Sequence, residues 1–360
     1  MNKGSGIFFL AILLAGGGYY YYHTQLSSSF LERNEVTING EKYDVRSKEG
    51  HERYGLKLRM IPNKDNAAIL YCKASNVFDE PSGRADDALR EADVTDPAFK
   101  RWYEKNKECL ALIRRAARRK DCQFPVLGKD DEPIGAMPLP YLNGMRRFAW
   151  LLRCEGRRLG QKGDWSAALD CCVAINRMAR HICRSDRPMI SILVALMVHE
   201  IGNGSVEECL ANGDLDEAAL RKAVQDHHQA LKDFPGFAHV MTFEQKVGEI
   251  DAGAQRKMKE TFTRGQARLG GATIFAAIKL YEKKNSRPPR SLAELKGDCL
   301  SELPKDPFSG RDFVYKVRGS DWILYSVWEN RTDDGGVGSW PHNRQKDRDF
   351  IWRNTRLPVN

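Results

Sequence analysis

Gly163-Asp164-Trp165-Ser166-Ala167-Ala168-Leu169 opens the stretch that decides the fold. Apolar residues then recur at helical spacing as far as Cys183, and Asp164 sits where an N-cap belongs. Asp186-Arg187-Pro188 interrupts the pattern. The run Ile190-Ser191-Ile192-Leu193-Val194-Ala195-Leu196-Met197-Val198 follows, apolar enough for a helix buried on all sides. Its length and flanking charges suit a central core helix, not a membrane span. The opening motif echoes in Gly213-Asp214-Leu215-Asp216-Glu217-Ala218-Ala219-Leu220. Each copy starts a helix after a helix, the pattern of stacked helical hairpins.

Working outward, one helix is predicted from Pro97 to near Lys120 and another over 141–159. A proline-rich loop, 121–140, separates them. On the other side, helices are predicted over 216–233 and, more raggedly, over 237–268. Gly265, Gly270 and Gly271 mark the expected end of this helical region. A further helix starts near Asp65-Asn66 and runs through Ala74, with loops at Pro81-Ser82-Gly83 and from Asp93 to Pro97. Before it, Val36-Thr37-Ile38, Asn39-Gly40 and Lys42-Tyr43-Asp44-Val45 spell a β-hairpin, because Asn-Gly favours the tight turn that joins twisted strands.

Ile7 to Ala15 is uninterrupted apolar sequence, followed by three glycines and Tyr19 to Tyr22, with Lys3 before it. As a short signal anchor, this segment would place the tyrosines in the interfacial aromatic belt. As a signal peptide, it would be cut near the small residues 15–18. Either reading sends the bulk of the chain across the membrane. The expected location is the cell membrane, single-pass, with the bulk outside the cytoplasm; the alternative is a secreted or periplasmic chain.

The net charge of +9 favours anionic contacts without choosing one. Nine cysteines, an odd number, leave at least one unpaired, and no CxxC is present. Most sit beside Leu, Ala and Val within helices and read as buried thiols. In an exported chain, Cys109 and Cys122 are the pair nearest a turn.

From Ala272 the pattern changes. A helix through Ile274, Phe275, Ile278 and Tyr281 precedes Pro288-Pro289-Arg290-Ser291-Leu292-Ala293-Glu294-Leu295 and the turn Leu303-Pro304-Lys305-Asp306-Pro307. Two strands, Phe313 to Val317 and Trp322 to Val327, lead into a Gly/Asp loop, 330–338, and the tail Asp347-Arg348-Asp349-Phe350-Ile351-Trp352. In this order the pieces resemble the C-terminal half of the major pseudopilin of type II secretion systems. The N-terminal prepilin signature of that family is absent, and Val327-Trp328-Glu329-Asn330-Arg331 departs from its loop sequence. The resemblance implies a pseudopilin-like shape and Ca2+ at Asn330, Asp333, Asp334, Asp347 and Asp349. Calcium takes oxygen ligands from such loops. Asp-Asp-Gly-Gly is also ordinary turn chemistry.

No catalytic constellation stands out. His199-Glu200 lacks the second histidine of a zincin, since Asn203 occupies that place. His227 and His228 point about 100° apart on a helix. Asp226-His227 has no G-x-S-x-G elbow to serve, and Cys171-Cys172 are helical neighbours best read as packing. Arg114, Arg115, Arg118, Arg119 and Lys120 complement a helix C-terminus and form a solvated basic face.

The expected fold is mainly α: a helical-hairpin bundle with an N-terminal membrane anchor and a small C-terminal α+β pseudopilin-like module. The expected divisions are 1–25, 26–64, 65–268 and 269–360. The expected function is that of a non-catalytic envelope protein with protein partners and no nucleic acid. The alternatives are a membrane-tethered hydrolase and a binder of anionic polymers through the Arg114 to Lys120 face.

Overall fold

Short polar side chains start the helices. In the computed structural model, Asn66 accepts the Ala68 amide at 3.1 Å and starts α1, Ala67–Val77. Asp96 accepts the amides of Ala98 and Phe99 and starts α3, Pro97–Lys105, with Pro97 in the first turn. Asp164 starts α6, Trp165–Cys183, and Asp216 starts α8, Glu217–Asp233. The remaining helices are α2, Arg84–Glu91; α4, Lys107–Ala117; α5, Tyr141–Gln161; α7, Met189–Asn212; α9, Phe237–Val247; and α10, Ala252–Asn285. The structure describes residues 35–38, 41–44, 61–124, 127–128, 139–183, 189–247, 251–337 and 348–354. The expected anchor or signal peptide lies outside these residues.

The hairpin pairs β1, Glu35–Ile38, antiparallel with β2, Glu41–Asp44, with Ile38 opposite Glu41. Two helical expectations are corrected. The single helix predicted from Pro97 to Lys120 is two, α3 and α4, meeting at Asn106. Its buried side chain accepts the Asp79 amide and donates to the carbonyls of Asp79 and Trp102, so it serves a neighbouring loop at the break. The glycines expected to end the helical region lie inside α10, which runs unbroken through the 268/269 boundary. They are there for contact. A Cβ at Gly271 would lie 2.0 Å from the Trp352 ring, and one at Gly265 would lie 2.5 Å from Leu196.

The apolar α7 is central, packing against α5, α6, α9 and α10. By length and composition it qualifies as a membrane span, but 67% of its apolar window is buried within the protein. One core joins α1 to α7. A second joins α6, α7, α8 and α10 to the C-terminal strands, with Val206, Leu220, Phe275 and Trp352 in one cluster.

The C-terminal sheet is antiparallel, in the order β3, Val314–Arg318; β4, Asp321–Ser326; and β5, Phe350–Arg353. The tail beyond Asp349 thus supplies a third strand, with Trp352 opposite Leu324. Buried Asp306 holds the Pro-rich turn to β4 by accepting the Ser326 hydroxyl at 2.9 Å and the Val327 amide at 3.1 Å. Trp352 locks the sheet to the helices: its indole N–H donates to Glu207 Oε1 at 2.6 Å. Glu207 is buried, and Arg268 lies 3.4 Å from its other oxygen. A buried carboxylate needs such partners, because desolvation otherwise costs it its charge.

Candidate functional site

Gly156 and Gly160, on one face of α5, line a cleft against α6 and α7. The resulting cavity has a volume of about 150 Å³. Its floor carries Trp165 and Cys172 from α6 and Cys209 from α7, and its rim carries Arg153, Arg157 and Glu208. Arg157 is neutralised by Glu208 at 3.0 Å and also donates to the carbonyls of Glu91 and Ala92. Arg153 makes no ion pair or side-chain hydrogen bond among the described residues. Burial and the neighbouring Arg157 charge push its pKa down. The rim therefore carries one uncompensated positive charge above a mostly apolar floor. An anion would relieve the cost of holding that charge out of water.

A second polar cluster lies between α6, α7 and α8. Asn176 donates to Asn203 Oδ1 at 3.3 Å and to His227 Nε2 at 3.0 Å, while His199 Nδ1 donates to Asn176 Oδ1 at 3.2 Å. His227 Nδ1 donates to the Ala223 carbonyl, which fixes its tautomer. His199 has its pKa lowered to about 3 by burial, with the His227 and Arg180 charges adding to the effect. That of His227 is also lowered, by burial. Both rings are neutral, and their donors and acceptors serve the core.

This arrangement sets a pH dependence. The unfolded chain takes up protons on these histidines below pH ~6.5 and the folded chain does not. Stability is full above that pH and falls as pH drops toward 3. The expected slope approaches about 1.4 kcal/mol per pH unit for His199, and His227 adds to it in the same direction. Urea titrations between pH 7 and 5, above the carboxylate range, are expected to reveal it, and His199→Gln to flatten it. A wild-type midpoint unchanged over that interval would contradict it.

No known family, characterised protein or solved structure matches the chain. His199 and Glu200 diverge. His199 joins the Asn176 cluster, whereas Glu200 is exposed and pairs with Arg268 at 3.2 Å. Asn203 belongs to the histidine cluster. His228 faces Ser301, away from buried His227, and Asp226 pairs with Arg177 at 2.6 Å. Cys171 packs in the first core and Cys172 faces the cleft. All nine cysteines, Cys109 and Cys122 included, are buried thiols.

The basic cluster divides. Arg114 approaches buried Glu155 at 4.0 Å and Arg119 donates to the carbonyls of Asn63 and Asn66. Arg115, Arg118 and Lys120 remain exposed.

In the Gly/Asp loop, Asp333 accepts the Tyr325 hydroxyl at 2.8 Å and the Gly335 amide at 2.9 Å. Asn330 donates to Asp334 at 2.8 Å, and buried Asp349 accepts the Gly336 amide at 2.8 Å. Asp347 lies outside the described residues. Among the described residues, no three His, Cys, Asp or Glu side chains come together to hold a metal. These contacts are those of a hydrogen-bonded turn.

Sequence reasoning missed the cleft. The available signal was the spacing of Gly156 and Gly160 at i, i+4, with Arg153 and Arg157 at the same interval beside them. Two glycines on one helical face invite close approach, and in an amphipathic helix they mark where a neighbour or a ligand comes near.

Proposed function

We propose that this chain is a non-catalytic binding protein, tethered at the cell envelope by its N-terminal apolar segment, that receives a small organic acid in the α5–α6–α7 cleft. The observation that carries this reading is Arg153, a shielded guanidinium beside an open cavity with no carboxylate of its own. The apolar floor selects the body of the ligand and the guanidinium its acidic group. A cavity of this volume accommodates a body about the size of benzene. The predicted ligand is therefore a carboxylate on a small apolar body. The helices around the cleft form the scaffold and present the outer faces available to protein partners. In the C-terminal part, the order of helix, proline turn and strand hairpin still resembles a pseudopilin. We assign it no filament role, because the sheet is fused to the helical core through Trp352.

Calorimetric titration of the full chain with benzoate tests the reading. Saturable binding is expected, with benzyl alcohol at least tenfold weaker. Arg153→Gln is expected to weaken benzoate about 10- to 100-fold, the range of a hydrogen bond to a charged group. Equal affinity for the acid and the alcohol, or wild-type affinity in the variant, would contradict it.

A further inference from the structure

The floor of the cleft carries two thiols in contact. Cys172 Sγ and Cys209 Sγ lie 3.6 Å apart on adjacent faces of α6 and α7. Both are buried against protein on every side but the cavity, which they line. Gly156 leaves room for the Cys172 sulfur: a Cβ there would lie 3.1 Å from it. We propose that Cys172 and Cys209 are a redox-active dithiol that small disulfides, entering through the cleft, convert to an α6–α7 cross-link.

The geometry requires little movement. A disulfide needs its sulfurs about 2.05 Å apart. The present separation closes by side-chain rotation on two helices that already pack side by side. In the first step, the Cys172 thiolate attacks one sulfur of a small-molecule disulfide, RSSR. A mixed disulfide forms and one RS⁻ leaves. In the second, the Cys209 thiolate attacks the Cys172 sulfur and expels the second RS⁻. The two cysteine protons end on the departing thiolates. Two protein thiols are oxidised to one disulfide while RSSR is reduced to two RSH. Contact with Cys209 and burial both hold the Cys172 thiol well above the ordinary thiol range, so exchange is expected to be slow at neutral pH and to quicken as pH rises.

This proposal does not rest on acid binding, and the two fail separately: one is read by cross-linking, the other by titration with benzoate. The test incubates the native full chain with 2-hydroxyethyl disulfide and follows intact mass and peptide maps. The expected first product is a chain lighter by two hydrogens, with Cys172 joined to Cys209. Its melting temperature should rise by roughly 5 °C or more, because the cross-link restricts the unfolded chain. Cys172→Ser and Cys209→Ser should each lose that species, the latter keeping the Cys172 adduct as a mixed disulfide. A native chain that stays fully reduced under these conditions would overturn the proposal. So would a first cross-link at any other cysteine pair, including Cys109 with Cys122.

Discussion

Trp352→Ala is expected to lower the unfolding free energy by about 4 kcal/mol or more. The indole is fully buried and seated against Gly271, with Phe313 and Phe350 around it. Removing a buried aromatic ring costs about 3–5 kcal/mol, because the surroundings collapse only in part. The variant also takes the indole donor from buried Glu207, and a lost hydrogen bond to a buried charged group adds about 1–3 kcal/mol. Trp352→Phe retains most of the packing and should show mainly the second effect. Urea unfolding followed by far-ultraviolet circular dichroism and by tryptophan fluorescence measures both. Since α7, α10 and β5 share one core, the two signals should move together in a single transition. An independently stable C-terminal module would instead lose one of two transitions and leave the helical signal where it was.

Gly202→Ala is expected to destabilise by about 3 kcal/mol. A Cβ at this position would lie 2.2 Å from Asn176 Oδ1 and 2.8 Å from its Cγ. Asn176 cannot yield without cost, since its amide serves His199, Asn203 and His227 at once. Overpacking alone costs about 1–3 kcal/mol, and each buried polar group left without its partner about as much again. Asn176→Ala removes the clash, so the double variant should be less destabilised than the sum of the two single ones. The coupling energy should be on the order of 1–3 kcal/mol. Additive single variants would show that the glycine and the amide do not meet.

Much of the helical layer was legible from sequence because its helices announce their starts. Asn66, Asp164 and Asp216 each cap a helix that the apolar spacing then extends. Asn39-Gly40 likewise foretold the first hairpin, and the runs Phe313 to Val317 and Trp322 to Val327 foretold β3 and β4. What was illegible depends on distant partners. Asn106 divides α3 from α4 through contacts with Asp79, a residue 27 positions away. Gly270 and Gly271 read locally as a break, yet in α10 they make space for Phe313 and Trp352. β5 was read as a tail, since its pairing with β4 is across a long connection. The short α2 carries Arg84, Asp86, Asp87, Arg90 and Glu91, so little apolar pattern remained to reveal it.

The histidines followed the same division. A core role for His199 was readable from its apolar helix, whereas its partners Asn176 and His227 come from two other helices. The cleft was hidden for a related reason. Its defining feature is a missing counter-charge at Arg153, and no local pattern reports which arginines a fold will leave uncompensated.

The proposal of an acid-binding cleft is tested most directly by a crystal structure of the full chain grown with a brominated benzoate. The anomalous signal of bromine is predicted in the cavity between Gly156, Gly160 and Trp165, with the carboxylate within hydrogen-bonding distance of the Arg153 guanidinium. Bromine located elsewhere on the protein, or an empty cleft at saturating ligand, would contradict the account.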